Sequence, residues 1–81
     1  SVSSGEAYLV KTLSGNLSTL YDLINEIKAL VANNAVTIAR EKLREAEELL
    51  DKAYADPTLY KFFSTEMAEI RDALSMLRSQ V

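Results

Sequence analysis

Apolar residues recur through the first third of the chain as Leu9, Leu13, Leu17, Leu20, Ile24, Ile27 and Val31, in steps of three and four that keep one helical face apolar. The spacing predicts a helix over residues 6–32. On a helical wheel Val10 and Tyr21 widen the stripe on one side and Leu23 and Leu30 on the other, so this helix is expected to be the most buried element. Gly15 is its weak point, since glycine inside a helix costs about 1 kcal/mol relative to alanine. The stripe passes through Gly15 in phase, which favours a continuous helix over a kinked one. Asn16 falls within the apolar arc; an edge position reaching water is favoured over a buried polar group that fixes register.

A second pattern follows Asn33-Asn34. The first asparagine suits a left-handed helix terminator, and the second suits an N-cap for the next helix. That helix, expected over residues 35–55, repeats Val36, Ala39, Leu43, Ala46, Leu50 and Ala53. Alanine therefore returns every seventh residue, and a row of small side chains lets a neighbouring helix approach closely. A third helix is expected over residues 57–80, with Tyr60, Phe63, Met67, Ile70, Leu74, Leu77 and Val81 as its stripe. Asp56 is a good N-cap and Pro57 a good first helical residue, because its missing N–H has no intrahelical partner at that position. The aromatic stretch from Tyr54 to Phe63 thus reads mainly as a corner. Tyr60 and Phe63 are expected in the core, and Phe62 and Tyr54 are the aromatics left for display.

Short connections force each helix antiparallel to the one before it. The predicted fold is all-α: an up-down-up antiparallel three-helix bundle with coiled-coil-like packing, its helices roughly 30–38 Å long. Residues 1–5 are expected to be a disordered N-terminal segment and residues 6–81 a single domain.

Composition narrows the function classes. A chain of 81 residues that is 48% hydrophobic with two glycines should fold, but a core of this size yields only about 3–5 kcal/mol of net stability. There is no cysteine and no histidine. Thiolate catalysis, disulfides and thiolate metal sites are thereby removed, as are the commonest general base and the commonest transition-metal ligand. A net charge of −3 argues against nucleic acid as a partner and against attraction to anionic lipid. No apolar run approaches the roughly 20 residues that span a bilayer, so a chain soluble as it stands is expected. It does not begin with methionine, and a processed start, an interior cut and a removed signal peptide all stay open, which leaves localisation unassigned.

Glu45, Glu47, Glu48 and Asp51 form the densest carboxylate run. A hard cation needs six to eight oxygens, usually gathered by a loop with a glycine turn, and none is present. Interleaved Arg40, Lys42, Arg44 and Lys52 make this a solvated face, with Arg44–Glu48 and Glu48–Lys52 spaced for pairing along the helix. Serines and threonines lack a base to activate them, and no glycine-rich phosphate loop exists. The expectation is a protein that is not an enzyme, with no metal, cofactor or small-molecule substrate.

The surplus lies in apolar residues outside the main stripes. Ile38 and Leu49 flank Lys42 on the second helix, while Phe62, Glu66, Glu69, Ala73 and Met76 form a second heptad-like line on the third. The simplest reading is core flank, since each helix of a bundle touches two neighbours. The functional reading makes Phe62 and Met76 anchors with a glutamate rim, and adds Tyr54, Ile38 and Leu49 as candidate partner-binding residues. The expected function is a non-enzymatic helical protein–protein interaction module, adaptor or chaperone-like, that binds a partner helix or its own copy through the first and third helices. The alternative is a structural subunit of a larger helical assembly, such as a secretion or phage apparatus.

Overall fold

A computed structural model describes the backbone of residues 4–81 and the side chains of residues 15–81. Three helices, α1 (Ser4–Ala32), α2 (Val36–Tyr54) and α3 (Pro57–Gln80), run up, down and up, and every pair packs together. No strand occurs among the described residues. The bundle is elongated, 47 Å by 16 Å by 15 Å. Ser4 and Gly5 form the start of α1; residues 1–3 of the expected disordered segment lie outside the described residues.

The stripes read from the sequence converge on one core. From α1 come Leu17, Leu20, Leu23, Ile24 and Ile27; from α2, Ala39, Leu43, Ala46, Leu50 and Ala53; from α3, Leu59, Met67, Ile70, Leu74 and Leu77. Leu9, Val10 and Leu13 lie outside the described side chains. The alanine row of α2 is buried along its whole length, so α2 meets its neighbours through small side chains at close range. No polar or charged side chain is buried among the described residues. The core is held by apolar burial alone, at about 25 cal/mol per Å² removed from water. α1 passes through Gly15 without a break, and Asn16 is exposed, as an edge position should be.

The two corners close by different chemistry. Between α1 and α2 the left-handed residue is Asn34, at φ 60°, not Asn33. Its N–H donates to the Val31 carbonyl at 3.0 Å and the Ala35 N–H to the Leu30 carbonyl at 2.9 Å, the paired bonds of a Schellman ending. Asn34 therefore terminates α1, and the N-cap of α2 falls on Ala35, which offers no side-chain cap. Asn33 instead donates from Nδ2 to the Ala29 carbonyl at 3.0 Å. Between α2 and α3 the expected cap is present. The Asp56 carboxylate accepts from the Thr58 N–H at 3.0 Å and the Leu59 N–H at 3.2 Å, and Pro57 opens the helix.

One core assignment is corrected here. Tyr60 is 52% exposed, and Leu59 takes the buried place at the head of α3. Phe63 departs from helical geometry (φ −131°, ψ 23°), so α3 is kinked there. Leu59 loses nothing by burial, whereas a buried Tyr60 would need a partner for its hydroxyl. Tyr60 packs outside against Tyr54, with ring centroids 6.1 Å apart.

Candidate functional site

The three seams between helices differ in what closes them. At the α2/α3 seam the Arg78 guanidinium forks onto Glu47, donating from Nε to Oε2 at 3.2 Å and from Nη2 to Oε1. A little further along, Arg40 donates from Nε and Nη2 to the main-chain oxygen of Val81 at 2.9 and 2.6 Å, tying the start of α2 to the end of α3. At the α1/α2 seam Lys42 reaches Glu26 at 3.6 Å and Glu45 at 3.9 Å. Arg78–Glu47 and Lys42–Glu26 cross between helices, and Lys42–Glu45 lies within α2; the Arg44–Glu48 and Glu48–Lys52 pairs expected along α2 are not among them.

The α1/α3 seam carries no ion pair among the described residues. Its one polar link is long: the Tyr21 hydroxyl donates to Glu69 Oε2 at 3.5 Å. Tyr21 is partly shielded from water, and this, followed by the charges of Glu69 and Glu66 and the Glu69 hydrogen bond, pushes its phenol above the ordinary value of 10.0. Phe62 is 36% exposed, Tyr21 39% and Met76 69%. Ala73 packs partly buried on the core between them. Glu66 is half-buried and Glu69 exposed, and no cation stands within salt-bridge distance of either among the described residues. Lys61 lies over the Phe62 ring, 5.4 Å from its centroid.

The expected partner-binding residues do not form one surface. Glu69 meets Tyr21 of α1, and Glu66, Ala73 and Met76 share its period on α3, whereas Phe62 lies ahead of the non-helical Phe63. Ile38 and Leu49 share a flank of α2 with Lys42, which reaches across to α1, and so border the α1/α2 seam. Ile38 is exposed, but Leu49 packs against the core. Tyr54 is half-buried, on the core and against Tyr60. Tyr21 joins the α3 line although sequence reasoning placed it only at the edge of the α1 stripe; an amphipathic ring at a stripe edge was the available signal.

Concavities lie elsewhere on the bundle. A cleft of about 290 Å³ opens over Leu17, Leu20, Leu49 and Leu59, rimmed by Asn16, Thr19, Lys52 and Asp56. Its floor is apolar, and its carboxylate, Asp56, is already engaged in capping α3. Arg40, Arg44 and Arg78 gather at the α2/α3 seam, but Arg40 and Arg78 hold the partners just described. Among the described residues no three carboxylates come together as metal ligands, and no helix is long and apolar enough to cross a membrane. No known protein family matches this chain, and comparison with curated proteins and with solved structures finds no match.

Proposed function

We propose that this chain is a non-enzymatic helical interaction module, of the adaptor or chaperone-like kind, that seats a partner helix or a second copy of itself along the α1/α3 seam. The observation that carries the reading is the contrast between seams. Two are bridged by cross-helix ion pairs, while the third presents Tyr21 and Met76, with Phe62 exposed nearby on α3, beside carboxylates that have no cation partner among the described residues. A helix laid along that seam would bury aromatic and thioether surface, the residue types that anchor helix-in-groove recognition. Burying a Phe or Met side chain fully contributes about 1.5–3 kcal/mol each.

Phe62→Ser tests this directly. The substitution should leave the urea midpoint equivalent to within about 1 kcal/mol of the parent, because the ring is already partly in water, yet weaken partner binding or self-association by about 2 kcal/mol or more. Ile38→Ser, on a different seam, is the control and should leave binding unchanged. If Phe62→Ser unfolds the domain, or if both substitutions weaken binding alike, the seam is not the docking surface. Sedimentation across a concentration series separates the modes of action: a monomer or closed dimer fits a module, and open-ended growth fits a subunit of a larger helical assembly.

A further inference from the structure

We draw no further inference here: the strongest candidate, the cleft over Leu17, Leu20, Leu49 and Leu59 near the α2/α3 corner, has an apolar floor that already packs into the core, its Asp56 carboxylate is engaged in capping α3, and nothing in the structure shows what covers it.

Discussion

The α1/α3 and α2/α3 seams share a helix, yet charge closes one and leaves the other open. On α3 the arginine that makes a cross-helix pair, Arg78, lies on the α2 side, and Glu66 and Glu69 lie on the α1 side. α2 answers the first flank with Glu47. α1 has little with which to answer the second: from Gly15 to Ala32 its one cation is Lys28, two helical turns beyond the level of Glu69. Among the described residues the same helix is therefore electrostatically satisfied on one flank and unsatisfied on the other. Met76 follows Glu69 by two turns on that flank, so apolar exposure and charge without a cation partner coincide there. Scattered exposed hydrophobes are ordinary on a protein surface; it is their alignment with uncompensated charge along one flank that distinguishes this seam.

The largest expected effect comes from filling each seam with the same extra bulk. Ala46 is fully buried in the α2 row, so Ala46→Leu should overpack the core and cost about 1–3 kcal/mol. Ala73 is only half-buried on the α1/α3 flank, and Ala73→Leu should cost less than about 1 kcal/mol because the added methyl groups can lie along the open flank. Urea midpoints of the two variants measure the difference. Equal destabilisation would mean that the α1/α3 seam is as tightly closed as the α2 row, and the comparison would fail.

Charge removal should give a smaller and oppositely signed pair of effects. Arg78→Gln breaks the fork onto Glu47 and should cost about 0.2–1 kcal/mol at low salt, shrinking as salt is added, since both side chains are partly in water. Glu69→Gln relieves repulsion between carboxylates three residues apart and should leave stability unchanged or raise it by about 0.2–0.5 kcal/mol. A Glu69→Gln variant as destabilised as Arg78→Gln would reveal a cation partner at the α1/α3 seam and remove the contrast.

How much of this was legible beforehand depended on whether the information was local. The head of α3 was readable in full, because Asp56-Pro57 combines a side-chain acceptor with a residue that needs no donor, and both act within a single turn. The alanine row was readable because a seven-residue period survives any rotation of the helix. At Asn33-Asn34 either residue could adopt the left-handed conformation, and the outcome moved the corner by one position, leaving α2 with an uncapped start at Ala35. Tyr60 was misplaced because the three-and-four stripe was extended back across Phe63, which leaves helical geometry. The site was half readable. Glu66, Glu69, Ala73 and Met76 share one period beyond the kink of α3, but their separation from Ile38, Leu49 and Tyr54 depends on how the helices rotate against each other. That rotation also decides that Lys42 meets Glu26, and spacing along one helix carries no record of it.

The smallest effect is the most local probe of the open seam. Tyr21 faces Glu66 and Glu69, and partial burial with these charges holds its phenol above 10.0 in the folded chain. A pKa raised by folding favours the neutral phenol in the native state. Its contribution to stability is therefore complete below pH 10 and is lost as the pH rises through the folded-state value. Tracking the Tyr21 ring by nuclear magnetic resonance should show a midpoint above that of a free tyrosine. In Glu66→Gln/Glu69→Gln the midpoint should move down but stay somewhat elevated, because the leading cause, burial, is retained. Arg78→Gln should leave it unmoved, as that pair lies across α3 on the other flank. A Tyr21 midpoint at the ordinary value, insensitive to the double substitution, would place the two carboxylates away from α1 and remove the contrast between the seams.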